Sequence, residues 1–285
     1  MRKLFLLCLL FPFVMSAQQR LHVTLFGGFS NYQGDLQDKT FTLDQSNGAF
    51  GAGVKYDLTS HISIRSGFNY GRVKGDDKLN KPILQARNLS FQSKILEGHL
   101  LGEYTFLDLD QNRFSPYVFG GIAVFHFNPY TRDTLGNKIF LHPLSTEGQG
   151  LAAYPDRKPY KLTQFAIPFG GGIKLRINEN AVLGYEFGFR KTFFDYLDDL
   201  STTYVDAAIL VLEKGPKAVE MSYRGGELKT GNTAYPADGT IRGGSKFKDW
   251  YYFTGITLAV SINTGNRSFF GNGNRKGRTD CPKVL

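Results

Sequence analysis

Apolar side chains alternate with small or polar ones along eight long segments of this chain. In residues 252–262, Ile256 and Leu258 share one face, while Gly255 and Thr257 lie on the other. Because successive side chains of a β-strand point to opposite faces, each segment is predicted to form a strand with one apolar face. The remaining segments are residues 20–30, 48–56, 61–71, 89–106, 115–127, 165–177 and 180–190.

The segment at residues 89–106 departs from simple alternation. Two apolar residues, Ile95 and Leu96, stand next to each other, so the apolar face changes phase between them. An extra residue in one strand of an antiparallel pair has this effect. The pattern therefore predicts a β-bulge near these two residues.

The alternation by itself fits two architectures. In a soluble β-sandwich the apolar faces pack against each other, whereas in a membrane β-barrel they face lipid. The segments are about ten residues or longer, which suits a tilted membrane span better than an ordinary strand of ~5–6 residues. Their opposite face is rich in glycine, which suits a narrow lumen. Aromatic residues such as Tyr56, Phe106 and Trp250 cluster at segment ends, as they do in interfacial girdles. These features favour the barrel.

Short and long connections alternate between the segments. Outer-membrane barrels of bacteria have short periplasmic turns and longer outer loops. The sequence therefore predicts an all-β fold, an eight-stranded antiparallel up-and-down transmembrane β-barrel with both termini in the periplasm. The short periplasmic turns are residues 57–60, 107–114 and 178–179, and the long outer loops are residues 32–47, 74–88, 128–162 and 191–249.

The N-terminus has the organisation of an export signal. Arg2 and Lys3 precede an apolar run at residues 4–14, which is followed by the small residues Ser16 and Ala17. The run is too short to cross a bilayer, so we expect cleavage after Ala17 rather than a membrane anchor. The predicted organisation is a signal peptide at 1–17, an outer-membrane barrel at 18–264 and a flexible basic periplasmic tail at 265–285. The expected location is the outer membrane of a Gram-negative bacterium.

Charged residues on the small-residue face are predicted to point into the lumen. An eight-stranded barrel is only wide enough for its interior to be filled by side chains. Both signs of charge occur, so we expect an interior salt-bridge network rather than the lining of a channel. The predicted lumen charges are Lys55, Arg65, Glu97, Glu103, Lys174, Arg176, Glu186 and Arg190.

Composition adds little that points to catalysis or nucleic acid. The net charge is +9, but the basic residues are spread along the chain without a helix-turn-helix or zinc spacing, so no nucleic-acid partner is expected. The five histidines do not occur at a metal-ligand spacing, and no Gly-x-Ser-x-Gly motif occurs. We expect a protein that is not an enzyme and that uses no cofactor or metal.

One outer loop concentrates carboxylates at Asp195, Asp198 and Asp199, next to Tyr196. Carboxylate oxygens are the ligands that calcium prefers, which makes a calcium site one interpretation. The other interpretation is a capped loop that enters a short helix across residues 204–212. The second requires no ion and is the one we expect.

The tail contributes one cysteine. Cys8 leaves with the signal peptide, so the mature chain would carry only Cys281. An unpaired thiol in an oxidising compartment suggests a disulfide with another protein, and a free thiol without a role is the alternative. Cys281 is therefore a candidate partner-binding residue.

Several short motifs are spread along the chain, at residues 32–36, 75–77, 87–91, 195–199, 201–206, 242–243 and 249–251. Through these motifs the chain resembles the PorG-like outer-membrane barrels of Bacteroidota, which belong to the type IX secretion and gliding machinery. The resemblance implies an anchor or scaffold that associates with a periplasmic ring built by a lipoprotein and its partner, and docking could involve Cys281. The alternatives are a general surface barrel for adhesion or envelope integrity, a narrow channel, and a soluble β-sandwich lectin.

Overall fold

The computed structural model describes residues 21–262, apart from residues 38, 40, 41 and 247. The predicted signal peptide at 1–17 and the predicted tail at 265–285, with Cys281, lie outside the described residues.

Eight long strands, one for each predicted segment, form the body of the protein. Six of them are longer than the segment that predicted them and extend mainly toward the long loops. Two short strands lie within one long loop. The strands are β1 (Leu21–Gln33), β2 (Asn47–Asp57), β3 (Ile62–Asp76), β4 (Ser90–Thr105), β5 (Phe114–His126), β6 (Tyr130–Arg132), β7 (Lys138–Phe140), β8 (Thr163–Asn178), β9 (Ala181–Thr192) and β10 (Trp250–Ser261).

The eight long strands close into a barrel in which every neighbouring pair is antiparallel. The order runs β3-β2-β1-β10-β9-β8-β5-β4, and pairing of β3 with β4 closes the sheet on itself. The first strand joins the last along its length, from His22 opposite Ser261 to Gln33 opposite Trp250. The predicted eight-stranded up-and-down barrel is confirmed.

The predicted β-bulge near Ile95 is wrong. Strand β4 pairs with β3 without a break, with Ile95 opposite Gly71 and Leu96 opposite Tyr70. Ile95 points inward and is fully buried, whereas Leu96 is 54 % exposed on the outside. The phase of apolar residues changes because the lumen itself becomes apolar at this level, not because the backbone is irregular.

A band of large apolar side chains covers the outer wall of the barrel. Phe68 is 68 % exposed and Phe50 is 63 % exposed, values typical of polar surface residues. A continuous exposed apolar surface of this kind marks contact with lipid or with another protein. All eight long strands contribute, as shown by Leu25, Phe50, Phe68, Leu100, Ile122, Ile173, Tyr185 and Ile256.

The four long connections fold over one end of the barrel, and we call this layer the cap. Its three helices are α1 (Pro82–Gln85), α2 (Ala207–Lys214) and α3 (Pro216–Ser222). The Asp206 side chain caps α2 by accepting hydrogen bonds from the backbone N–H groups of Ala208 and Ile209 at 2.8 and 3.0 Å. The helix therefore begins three residues after the predicted start. No helix in the described residues is long and apolar enough to cross a membrane. The cap comprises the described residues within the ranges 34–46, 77–89, 127–162 and 193–249.

Candidate functional site

Two clusters of charged side chains fill the lumen, and the first lies nearer the short turns. We call it the lower lumen cluster, and it consists of Arg65, Glu103, Lys174 and Glu186. Arg65 lies 2.9 Å from both carboxylates, with Nε next to Glu103 and Nη1 next to Glu186. Lys174 Nζ donates to Glu103 Oε2 at 2.7 Å. The Tyr117 hydroxyl donates to Glu186 at 2.8 Å. Four strands thus contribute charges of opposite sign that neutralise one another.

The second cluster lies nearer the cap and is centred on Glu97, which is fully buried. We call Glu97, Arg190, Asn69, His99 and Tyr251 the upper lumen cluster. Arg190 Nε and Nη2 donate to the two oxygens of Glu97 at 3.0 and 3.1 Å. The Tyr251 hydroxyl and the Asn69 amide add hydrogen bonds at 2.8 and 3.1 Å. His99 Nδ1 lies 3.3 Å from the same carboxylate. The bidentate contact between Arg190 and Glu97, together with these three neighbours, holds the Glu97 carboxylate in place at the centre of the barrel.

The remaining two predicted lumen charges lie toward the short-turn end. Lys55 is buried and pairs with Asp57 at 3.0 Å. Arg176 lies at the rim, where its guanidinium contacts the exposed Asp110 at 2.8 Å. The only register shift in β8 falls between Arg176 and Asn178, which is the point where the strand leaves the wall. Seven of the eight predicted charges are therefore buried in the interior, and Arg176 is at its mouth.

Aromatic rings close the lumen above the upper cluster. Phe253 packs over the Arg190 guanidinium at 4.6 Å, and the rings of Phe125 and Tyr251 are 4.9 Å apart. Glycines leave the room that these large side chains need. A Cβ at Gly188 would lie 2.6 Å from Arg190 Nη1 and 2.7 Å from the ring of Phe119. The interior is thus packed to the point where added atoms would collide.

In the part of the chain that the structure describes, residues 21–262, the opposite end of the barrel is open. A cavity of about 1370 Å³ lies between the short turns, and polar residues form much of its wall. Its floor is the lower lumen cluster, through Lys174. The barrel is therefore a cup that opens toward the short turns and is closed by the cap. Charged and imidazole side chains on its wall are His22, Lys55, Asp57, His61, Asp108, Asp110, Lys174, Arg176 and Glu179.

The predicted carboxylate loop lies buried in the cap, and each aspartate has a different partner. Asp195 accepts a hydrogen bond from Ser201 Oγ at 2.8 Å, and Asp198 accepts one from the Tyr32 hydroxyl. Asp199 accepts one from Tyr160 at 2.7 Å. Among the residues that the structure describes, no group of three or more His, Cys, Asp or Glu is arranged to hold a metal ion. The geometry favours the capped loop over a calcium site.

Arg242 joins this loop to the rest of the cap. The side chain is 1 % exposed and its Nη1 donates to Glu147 Oε1 at 3.0 Å and to the Asp199 carbonyl at 2.6 Å. Its Nε donates to the Ser222 carbonyl at 3.1 Å. Glu147 in turn accepts hydrogen bonds from Thr202 at 2.7 and 2.9 Å. One arginine thus ties together three regions of the long connections.

Arg87 joins the first two long loops to the same network. Its guanidinium pairs with Asp77 at 2.8 Å and donates to the carbonyl oxygens of Asp35 and Arg242. The Asp35 carboxylate accepts a hydrogen bond from Gly244 N at 2.8 Å. Residues from all of the short motifs that carry the resemblance are therefore in or beside one buried network.

Burial raises the pKa of the cap carboxyls. The pKa of Asp195 is about 6, because burial disfavours its charge and Asp35 and Glu147 repel it. The pKa of Asp199 is also about 6, because burial outweighs the favourable charge of Arg242. The pKa of Asp198 lies well above its usual value for the same reason, reinforced by Asp35. These carboxyls are held more strongly in the protonated form than in an unfolded chain.

We expect the cap to become less stable as pH rises through this range. A carboxyl whose folded pKa is raised stabilises the fold below its unfolded pKa, near 4, and loses that contribution as pH passes about 6. Hydrogen-exchange protection in residues 193–249, corrected for intrinsic rates, should fall about tenfold per carboxyl from pH 5 to pH 7.5. The D195N/D199N variant should lose the contributions of these two carboxyls and keep that of Asp198. Protection that rises with pH in the wild-type protein would contradict the sign.

Comparison with known proteins adds little beyond the fold. Residues 1–138 match a family described as "Domain of unknown function (DUF6089)". No curated protein matches the sequence. Several solved structures are similar in fold at very low sequence identity. Neisserial surface protein A (NspA) has a TM-score of 0.41 at 7 % identity, covering 85 % of this chain and 97 % of that chain.

Two more of these structures have TM-scores and sequence identities in the same range. OprG from Pseudomonas aeruginosa has a TM-score of 0.40 at 12 % identity, covering 86 % of this chain and 99 % of that chain. Ail from Yersinia pestis, in complex with the heparin analogue sucrose octasulfate, has a TM-score of 0.39 at 8 % identity, covering 85 % and 98 %. The expectation that the chain is not an enzyme stays a prediction.

Sequence reasoning missed two residues that matter to these networks. Glu147 lies in the middle of a long loop, and nothing in its neighbourhood distinguishes it from a solvated acid. Tyr117 points inward on β5, where an aromatic ring reads as part of the apolar pattern. Val118, the next residue, points outward. Once the barrel is established, alternation along β5 therefore assigns Tyr117 to the lumen.

Proposed function

We propose that this chain is an outer-membrane barrel that acts as an anchor or scaffold of the type IX protein secretion and gliding machinery. The observation that supports the proposal is the cup shape of the barrel, which is closed by the cap and open toward the short turns. The cap and the two lumen clusters close the barrel on one side, while a polar cavity opens on the other. A barrel of this form is suited to hold a partner at the membrane rather than to conduct solutes through it.

The outer wall supports the location in a membrane. Exposed side chains such as Phe50, Phe68 and Ile256 would cost about 25 cal/mol per Å² of apolar area if they faced water. Antiparallel strands closed into a barrel satisfy every backbone hydrogen bond within the sheet, as hydrocarbon requires. With the short turns facing the periplasm, the cap faces the cell exterior.

The lumen argues against the narrow channel. A solute would have to displace the Glu97–Arg190 contact, in which both groups are at most 1 % exposed, and then the aromatic rings above it. Breaking a buried ion pair by removing one partner costs ~3–5 kcal/mol, and passage requires the same separation. We expect no conductance from the purified barrel in planar bilayers.

The link to type IX secretion rests on the resemblance to PorG-like proteins. Its motifs are far apart in sequence, and residues from each of them are found in or next to the cap network, which Arg87 and Arg242 join. On this proposal a periplasmic ring lipoprotein docks at the open cavity, with the tail and Cys281 as a further candidate contact.

Deletion of the coding sequence should abolish type IX secretion and gliding, and the wild-type chain should restore both. Detergent-solubilised envelopes should yield the barrel together with a periplasmic ring protein, and a Cys281→Ser chain tests whether the complex depends on a disulfide under non-reducing conditions. Normal secretion in a clean deletion strain would refute the secretion role. Recovery of the mature chain in a detergent-free periplasmic extract would refute the membrane location.

A general surface barrel for adhesion is the second candidate, and one observation favours it. Five aliphatic side chains stand out at the tips of the cap, with exposures between 77 % and 89 %. Exposed aliphatic tips are typical of surfaces that contact another molecule. Wild-type secretion combined with reduced attachment to a surface in the deletion strain would favour this candidate. The five residues are Leu43, Ile83, Leu135, Leu212 and Ile241.

A further inference from the structure

Two like-charged residue pairs face each other across strands on the outer wall. Arg72 on β3 lies directly opposite Lys94 on β4, and Arg132 on β6 lies directly opposite Lys138 on β7. Like charges in such positions repel, because opposed Cβ atoms are only ~4.5–5.5 Å apart. We call these four residues the basic face.

The four residues lie on one surface. Strand β6 takes the edge of β4 above the point where β5 ends, with Gln92 opposite Tyr130. Antiparallel partners point to the same side of a sheet, so the outward face of β3 and β4 continues onto β6 and β7. The pKa of Lys138 is lowered by burial and by repulsion from Lys94, Arg132 and Arg72, which agrees with this proximity.

The charges of the basic face are not neutralised by acids among the described residues. Arg132 donates to the Gly136 carbonyl at 2.7 Å, and the Lys138 ammonium lies 3.9 Å from the centre of the Tyr130 ring. The acids nearby already have partners, since Asp133 binds its own turn and Lys217, and Glu227 forms a bidentate pair with Arg224.

The basic face begins where the apolar band ends. On β3 and β4 the last apolar pair of the outer wall is Tyr70 and Leu96, and the next outward pair is Arg72 and Lys94. Two residues along a strand correspond to ~7 Å, so these cations lie just beyond the hydrocarbon boundary on the cap side. Headgroup phosphates of the outer leaflet occupy this level in a membrane that the band spans.

A cavity of about 270 Å³ adjoins the basic face. Lys74 and Arg132 supply charged donors to its wall, whereas Arg224 is already paired with Glu227, and Gln92 and Tyr130 supply neutral polar groups. The carboxylates on the same wall are Asp76 and Glu227, and the second of these is already paired. The space and its donors are suited to a phosphorylated sugar.

We propose that the basic face binds the phosphate groups of an anionic glycolipid in the outer leaflet. Arginine presents paired N–H donors that match phosphate oxygens, and lysine adds a point charge. A bound phosphate would relieve the repulsion within both cross-strand pairs. The inference rests on the proposed outer-membrane location, but it requires neither the secretion role nor a ring partner.

The test uses purified full-length mature barrel in detergent and bisphosphorylated lipid A as the probe, with binding measured by thermophoresis. The R72Q/K94Q/R132Q/K138Q variant should bind at least tenfold more weakly than the wild type, since it lacks the four positive charges that attract the phosphates. The control variant K158Q/K161Q/K214Q/K229Q removes the same charge from exposed positions elsewhere in the cap and should bind like the wild type.

Three further arms make the result decisive. Dephosphorylated lipid A should bind weakly to every protein, and inorganic phosphate should not compete at equal concentration. The charge-conserving R72K/R132K variant should keep most of the affinity, which separates charge from folding, and heat-modifiable gel mobility verifies that each variant is folded. Equal affinity of the first variant and the wild type, equal loss in the control variant, or efficient competition by inorganic phosphate would overturn the proposal. Any of these results together with normal membrane fractionation and secretion would leave the proposed function intact.

Discussion

Replacement of Glu97 by Gln is expected to lower the free energy of unfolding of the barrel by about 3–5 kcal/mol. The substitution keeps the size of the side chain but leaves the Arg190 guanidinium, which is 1 % exposed, without a counter-charge. A charge isolated in this way cannot reach water because aromatic rings cover it on the cap side and the lower lumen cluster lies beneath it. The loss should therefore exceed that of any substitution at the surface.

Urea unfolding in detergent micelles measures this effect. The chain has a single tryptophan, Trp250, which lies in β10 next to β9 and reports directly on separation of these strands. Glu213→Gln on the exposed side of α2 removes the same charge outside the lumen and should change stability by less than about 0.5 kcal/mol. The double variant E97Q/R190M should recover part of the loss, because it removes the uncompensated charge. Equal stability of E97Q and E213Q would show that the cluster contributes nothing.

Replacement of Arg242 by Leu is expected to open the cap while the barrel below stays folded. The guanidinium satisfies Glu147 and two backbone carbonyls, so its loss leaves buried acceptors without donors and an acid without its partner. A cost of about 3–5 kcal/mol, applied to local opening, corresponds to a rise of about two to four orders of magnitude in the open population. Digestion by proteinase K should accelerate by that factor within residues 193–249.

The matched control is Arg113→Leu, an exposed arginine at the short-turn end. Its cap should be cleaved at the wild-type rate. Mass analysis of the fragments locates the cut, and the eight-stranded core should survive in both variants as a heat-modifiable band. Unchanged cleavage of the R242L protein would mean that the loops are held by their apolar contacts alone.

Most of the barrel could be predicted from the sequence, since alternation is a local signal. Each residue of a strand faces the outside or the lumen by parity, and parity alone placed Lys55, Glu103 and Glu186 inside. The alternation pattern was misleading at the level where the side chains in the lumen change from charged to apolar. Ile95 is apolar and inward, so the sequence resembled an irregular strand when the backbone was regular.

The cap could not be predicted in the same way, because its contacts join residues far apart in sequence. Arg242 meets Glu147 across 95 positions and Arg87 meets the Arg242 carbonyl across 155. Loop backbone has no fixed periodicity, so the sequence around Arg242 or Arg87 does not indicate which residue the side chain contacts. The resemblance identified several of the residues involved as a set of motifs, but their convergence is visible only in the folded chain.

The pairing of β1 with β10 imposes an order on biogenesis. Until β10 has formed, β1 and β9 each have one edge whose N–H and C=O groups are unpaired. A nascent chain that ends before residue 250 would therefore have two unpaired strand edges, which can pair with other chains. The wall can therefore close only after the residues of β10 have been made.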